Sequence, residues 1–293
     1  MLSKKIRFGA ETMTKPQTIL EQTTNPIAEE KELNLRRLMR EMQNVLVAYS
    51  GGVDSAYLAL IATQELGEKA VCVTGLSPSV SEVQRTEAVK IAKIFQFNYE
   101  TIETEELANP DYQANPTNRC FHCKTELYGK LQSLADNRRI KFVLDGANAD
   151  DIKDYRPGRQ AAFDKKVRSP LIEANLTKNE IRELSKNLGL STWDKPASPC
   201  LSSRIAYGVP VTIERLSKVE KGEEILRRLG FREFRVRVHE EIVRLEIAKT
   251  EMPRALNIEM SEKFTEKFRR LGFRYVTLDL EGFRSGAMNE VLK

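Results

Sequence analysis

Four strand-like runs, "NVLVAY", "AVCVTG", "NYETIET" and "KFVLDGAN", alternate over residues 44–148 with "AYLALIATQEL", "SEVQRTEAVKIAKIFQ" and "KTELYGKLQSLADN", which have helical length and periodicity. This alternation constrains the fold more than any other feature. Parallel strands need a crossover of a dozen or more residues, usually a helix, and helices on both faces leave the strands buried on both sides. The pattern therefore predicts an α/β domain built on a parallel sheet. Ligands of such sheets bind at the carboxyl ends of the strands, so chemistry is expected in the loops there. A helical segment carrying Leu35, Leu38 and Met42 leads into the first strand.

Beyond the fourth strand the pattern lapses. "DIKDYRPGRQAAFDKKVRSPLIEANL" reads as long and irregular, and "TKNEIRELSKNLGL" as a helix with Thr177 as N-cap and Glu180 completing a capping box. The prolines of "STWDKPASPCLSSRIAYGVP" argue against regular structure. After about residue 205 the order becomes helix "ERLSKVEKGEEILRRLGF", strands "REFRVRVHE" and "IVRLEIA", two short helices and strand "YVTLDL", a small α+β unit. Its two "RRLGFR" turns suggest either an internal repeat or one helix C-cap glycine used twice. A chain of 293 residues is long enough for two cores. The expected division is a flexible leader at 1–29, an α/β domain at 30–204 and a smaller α+β domain at 205–293.

Composition excludes some classes. With 41% hydrophobic and 30% charged residues, and no apolar stretch near the roughly 18 residues of a membrane span, the chain reads as soluble and globular. A net charge of +5, from 47 basic against 42 acidic residues spread along the chain, suits anionic small substrates as well as RNA. Residues 1–29 are polar and lack the apolar core of a secretory signal, which is expected of a cytoplasmic protein. Cys72, Cys120, Cys123 and Cys200 are too few and too oddly spaced for a disulfide framework, so reduced thiols are expected.

Directly after the first strand comes "SGGVDS", Ser50 to Ser55. Gly51 and Gly52 permit positive φ and close backbone approach, so that successive N–H groups can converge on an anion; Ser50 and Ser55 add hydroxyl donors, and the next helix presents its N-terminus to the same point. The lysine that a Walker loop places on the β and γ phosphates is missing. With Asp54 as a magnesium ligand, the loop points away from γ-phosphoryl transfer; the bland alternative is a Gly-Gly turn with serine caps. The motif resembles that of the PP-loop ATP pyrophosphatases, which hold the β,γ-pyrophosphate of ATP, expose the α phosphorus and adenylate an oxygen. "LDGANADD", Leu144 to Asp151, is similar to the D-G-x-N segment of that superfamily. The resemblance implies ATP and Mg2+ on Ala48, Ser50, Gly51, Gly52, Asp54, Ser55, Asp145 and Gly146.

"NRCFHCK" puts Cys120 and Cys123 in C-x-x-C spacing at a helix entrance, where two thiolates can share a metal or a cluster edge. Cys200 follows in "SPCLSSR". If the fold brings it to the same mouth of the sheet, three thiolates converge, and a cubane with three protein ligands keeps one iron open to carry sulfide. A redox pair, or a zinc site completed by His122 or His239, are the alternatives. Cys72, in mid-strand, reads as a small buried hydrophobe.

From about Leu35 to the C-terminus the chain resembles the LarE family, ATP-dependent sulfur transferases of nickel-pincer cofactor synthesis, in its three-cysteine iron–sulfur form. The resemblance rests on "SGGVDS", "LDGANADDIKDYRPGRQA", "PCLSSRIAYG", "FRVRVH" and "GFRYVTLDLEGFRSGAMN". It implies adenylation of the carboxylates of pyridinium-3,5-biscarboxylic acid mononucleotide and their conversion to thiocarboxylates, with a [4Fe-4S] cluster on Cys120, Cys123 and Cys200. Cys200 and Asp54 would be catalytic. Members that sacrifice a cysteine sulfur near Cys200 lack cysteines at the positions matching Cys120 and Cys123, so the presence of both favours the cluster. The resemblance further implies a mononucleotide phosphate held by the second domain. Arg235 and Arg237 share one strand face, where two guanidinium forks could clamp it, unless that face is merely solvated. Ser203 and Arg204 would be substrate contacts; Glu223 and Glu246 match acidic site positions, with a surface or salt-bridged role as the alternative. Trp193 reads as packing between domains. The family also implies a homo-oligomer, and the sulfur donor is not specified. The rival readings are a tRNA thiolase, an amidating ligase and a nucleotide sensor. No added RNA-binding domain or strong basic block supports a nucleic-acid partner, and a substrate carboxylate needs no general base to become a nucleophile.

Overall fold

A computed structural model describes residues 4–5, 25–153, 157–196, 198–284 and 287–288. Most of the 1–29 leader, the "DYR" part of the segment following D-G-x-N, and Ser285, Gly286 and Asn289 of the C-terminal motif lie outside the described residues. The chain divides into two compact units. The first holds Met1–Ser77, Glu82–Glu105 and Cys120–Ser198; the second holds Pro78–Ser81, Glu106–Arg119 and Pro199–Lys293.

In the first unit, strands β1 (Lys4–Lys5), β2 (Val45–Ala48), β3 (Ala70–Leu76), β4 (Asn98–Glu103) and β5 (Phe142–Leu144) form one sheet in the order β1-β4-β3-β2-β5. β2 to β5 are mutually parallel, as the alternation predicts, and β1 pairs antiparallel with β4. Helices α1 (Pro26–Met42), α2 (Val53–Leu66), α3 (Glu82–Ile94), α4 (Arg119–Asn137), α5 (Pro157–Asp164) and α6 (Lys178–Asn187) cover it. Val45, Val47, Ala70 and Cys72 join the core that contains residues of α1, α2, α3 and α6, whereas Leu46, Val71 and Val73 join the one containing Tyr128, Leu131 and Ala161 of α4 and α5. Both faces being buried, the strands read as apolar runs without alternation. The chain leaves β2 for β3 on one side and returns to β5 on the other, so the strand order reverses between β2 and β5. That is the switch point of an open α/β sheet, where a crevice forms outside the strand ends.

The stretch expected to be irregular contains two helical pieces, α5 and a turn at Pro170–Glu173. Each starts on proline, which breaks a helix interior but suits a first turn, where its missing N–H would have no partner. α4 begins at Arg119, so Cys120 lies in its first turn and Cys123 at the start of its second.

The second unit contains α7 (Ile213–Arg228), β6 (Phe234–His239), β7 (Ile242–Ile247), α8 (Ile258–Arg270) and β8 (Tyr275–Leu278). Its sheet has the order β6-β7-β8, β6 antiparallel and β8 parallel to β7. Gly230 and Gly272 end α7 and α8 at φ of +83° and +88°, with N–H groups donating to the carbonyls of Arg227 and Arg269. The repeated "RRLGFR" is thus one C-cap used twice, before strands that run in opposite senses. Among the described residues no helix is long and apolar enough to cross a membrane.

Candidate functional site

The loop Tyr49–Gly52 occupies the carboxyl end of β2 at the switch point. Gly51 has φ +73°, and a Cβ there would stand 2.7 Å from the Ala88 Cβ of α3, so both conformation and space demand glycine. Inside the turn, the Ser50 and Ser55 hydroxyls meet at 2.9 Å, the Ser50 N–H donates to Ser55 Oγ at 3.2 Å, and Ser55 Oγ donates to the Gly52 carbonyl at 3.3 Å. The D-G-x-N loop closes on the same turn. A Cβ on Gly146 would lie 3.0 Å from the Ser55 nitrogen and 3.3 Å from the Asp54 carbonyl carbon, so a side chain there would push the two loops apart.

Asp145 is buried, and it is bound by its own unit. It accepts from Tyr128 Oη at 2.8 Å, Ser169 Oγ at 2.7 Å and the Ala147 N–H at 3.2 Å. Tyr128 Oη accepts in turn from Lys124 Nζ at 2.8 Å. Burial alone would depress the Lys124 pKa, yet Tyr128, Asp145 and Cys123 together hold it above the ordinary lysine value. A buried ammonium, a phenol and a carboxylate therefore connect the N-terminal half of α4 to the D-G-x-N loop.

Asp54 follows the glycines in the first turn of α2. Its Oδ2 accepts from Lys178 Nζ at 2.6 Å, while its Oδ1 is buried without a hydrogen-bond partner. A buried carboxylate oxygen with no donor is costly in a folded protein and suits an incoming hard cation, so Asp54 fits Mg2+.

None of the four cysteines forms a disulfide. Cys72 is fully buried in β3, and burial pushes its thiol up to about 12. Cys120 is exposed and Cys123 partly so, three residues apart near the start of α4, so their thiols share a helix face. Cys200, also partly exposed, precedes the tight turn Leu201–Arg204 of the second unit. Among the described residues no three His, Cys, Asp or Glu side chains gather to hold a metal ion. The donor set itself, soft thiols with a lysine ammonium adjoining Cys123, suits an iron–sulfur cluster.

In the second unit the expected substrate contacts form one ionic network. Arg204 is 2% exposed; it pairs with Glu223 at 2.9 Å and donates to the carbonyls of Pro199 and Cys200 and to Ser203 Oγ. Ser203 Oγ donates to the Cys200 carbonyl at 2.7 Å. Arg237 grips both oxygens of Glu246 at 3.0 and 2.9 Å and donates to the Ser203 carbonyl at 2.9 Å, and Arg244 shares Glu246 at 3.1 Å. Arg235 lies over the Phe283 ring at 4.8 Å, its pKa held down to about 10 by burial and by the nearby Arg204. Arg235 and Arg237 are therefore not a solvated face, and Glu223 and Glu246 are salt-bridged inside the unit. The buried guanidiniums of Arg204 and Arg237 are thus each matched by a carboxylate, and Arg244 reaches Asp279 at 3.6 Å besides Glu246.

The family model for NAD synthase matches residues 28–124. The chain is 45% identical over 264 residues, 90% of its own length and 98% of the relative's, to an uncharacterized protein of Synechocystis sp.. It is 35% identical over 263 residues, 89% of this chain and 95% of the relative, to the pyridinium-3,5-bisthiocarboxylic acid mononucleotide synthase of Lactiplantibacillus plantarum. The chain belongs to the LarE family. These are ATP-using sulfur transferases of the PP-loop superfamily, and use of ATP with Mg2+ comes with membership. A more distant match, 26% identical over 209 residues and 62% of each chain, is a subunit of the glutamine-hydrolyzing GMP synthase of Thermoplasma acidophilum.

In this LarE chain the first unit brings Ser50, Gly51, Gly52, Asp54, Ser55 and Gly146 together around one turn, with Ala48 ending β2 beneath it and Asp145 fixed below by Tyr128 and Ser169. The second unit gathers Ser203, Arg204, Arg235, Arg237, Glu223 and Glu246. Trp193 is 37% exposed, with the Lys186 ammonium 4.8 Å over its ring. Sequence reasoning missed Lys124, Tyr128, Ser169 and Lys178. One signal was legible for Lys178: a lysine directly after an N-cap threonine opposes the helix dipole and needs a local anion.

Proposed function

We propose that the chain adenylates the carboxylates of pyridinium-3,5-biscarboxylic acid mononucleotide with ATP and converts them to thiocarboxylates for the nickel-pincer cofactor. One observation carries the reading: a glycine turn with an unpartnered Asp54 oxygen lies at the switch point of a chain that aligns over 95% of the length of a bisthiocarboxylate synthase.

A carboxylate oxygen of the substrate attacks the α phosphorus of ATP, the bond from that phosphorus to the bridging oxygen breaks, and pyrophosphate leaves with the electron pair. The backbone N–H groups of Gly51 and Gly52 and the hydroxyls of Ser50 and Ser55 cradle the leaving pyrophosphate. Asp54 would hold Mg2+, which when bound would supply charge neutralisation at the polyphosphate. Arg235, Arg237, Ser203 and Arg204 hold the mononucleotide through its phosphate and orient the carboxylate, Glu223 and Glu246 fixing the guanidinium planes. Cys120, Cys123 and Cys200 would hold a [4Fe-4S] cluster, which when bound would supply the sulfur that takes the place of AMP. The proposal includes a leader at 1–29, a cytoplasmic location, argued from the polar character of that leader, and a homo-oligomeric state, supported by family resemblance.

Pyrophosphate release tests the loop. It is expected to require the dicarboxylate mononucleotide and to fall by about a hundredfold or more in Asp54→Ala. Turnover of that variant at the wild-type rate would remove Asp54 from the account.

A further inference from the structure

We infer that Lys178 is a positioning residue that pairs with the Asp54 carboxylate and passes to the polyphosphate when metal and nucleotide enter together. The inference rests on the glycine turn being the nucleotide site. The loop has no lysine of its own, and the structure supplies one from 124 residues further along the chain, with Lys178 Nζ 2.6 Å from Asp54 Oδ2.

The backbone of Lys178 is fixed while its side chain spans to another element. Thr177 and Glu180 form a complete capping box around the start of α6, and the Lys178 N–H donates to Asp150 Oδ2 at 2.8 Å. Lys178 is therefore held at the first position of a helix, where the backbone dipole repels a cation. The carboxylate of Asp54 offsets that repulsion. The side chains of Lys178 and Asp54 are 34% and 23% exposed, so the pair is open to exchange with entering ions.

The two oxygens of Asp54 have different surroundings, since Oδ2 faces the ammonium and Oδ1 is buried with no donor. A divalent cation arriving alone would share one carboxylate with an ammonium, and the like charges repel. A cation arriving with a polyphosphate brings several anionic oxygens, which give the ammonium another partner and remove the repulsion. Lys178 thus opposes the bare metal and favours the metal nucleotide, making entry of the two cooperative.

The two halves predict opposite effects of one substitution. In Lys178→Met, Mn2+ binding without nucleotide, read from the free-ion paramagnetic resonance signal, is expected to strengthen about fivefold, and Mg-ATP binding by calorimetry to weaken about tenfold. Lys178→Arg keeps the charge and should restore both affinities toward wild type. A thermal melt on each variant confirms that it is folded. A purely structural role would weaken both bindings together, and that result, or no change in Mn2+ affinity, would overturn the inference while leaving the proposed function standing. Failure of the wild type to bind Mg-ATP would overturn the proposed function and this inference with it.

Discussion

Cys72 and Cys120 are the same side chain in opposite surroundings. Burial pushes the Cys72 thiol up to about 12, so thiolate is scarce at neutral pH, whereas Cys120 is exposed and Cys123 and Cys200 are partly so. A thiol-specific alkylating agent at pH 8, with the protein kept reduced and without iron, is expected to modify these three in the native protein and Cys72 after denaturation; mass spectrometry reads the difference. Rapid native labelling of Cys72 would contradict its placement in the core. At this scale the sequence was legible where a residue's place is set by its neighbours in the chain, as for Gly51 at its positive φ and mid-strand Cys72 in the core. For Lys178 it showed the need for an anion but not that the partner lies 124 residues away, and it was opaque for Lys124, which works through Tyr128 to Asp145 across a helix-to-strand packing that no local pattern encodes.

Elements are fixed most firmly at their ends. The α6 capping box was readable as Thr177 and Glu180 and is present in full, whereas α5 and the Pro170–Glu173 turn were hidden by prolines that start helices as readily as they break them. Thr177→Ala is expected to cost about 1 kcal/mol, seen as a lower urea midpoint with unchanged slope. Although burial opposes its charge, Lys31 and the Thr177 groups hold the Glu180 carboxyl below the usual glutamate range. Its stabilisation is therefore complete above the unfolded value of about 4.3 and is lost as pH falls through the lower folded value. The stability gap between wild type and Glu180→Gln should close in acid; a gap that widened there would contradict the pairing.

Across the whole molecule, the alternating strands and helices of residues 44–148 anticipated a parallel sheet, and its reversal between β2 and β5 explains why the glycine turn and the D-G-x-N loop adjoin. Strand order could not be read from periodicity, which marks strands without saying which ones pair. For the proposed cluster, anaerobic preparations are expected to contain iron and acid-labile sulfide, both lost from Cys120→Ala, Cys123→Ala and Cys200→Ala; full retention in all three would exclude these ligands. The central claim is that ATP is consumed to exchange a carboxylate oxygen for sulfur, and mass analysis of the mononucleotide after anaerobic incubation with the cluster-loaded enzyme and Mg-ATP tests it most directly. The account predicts a product carrying sulfur in place of oxygen, formed together with AMP and pyrophosphate. Pyrophosphate release with an unchanged mononucleotide, or sulfur incorporation without ATP, would contradict it.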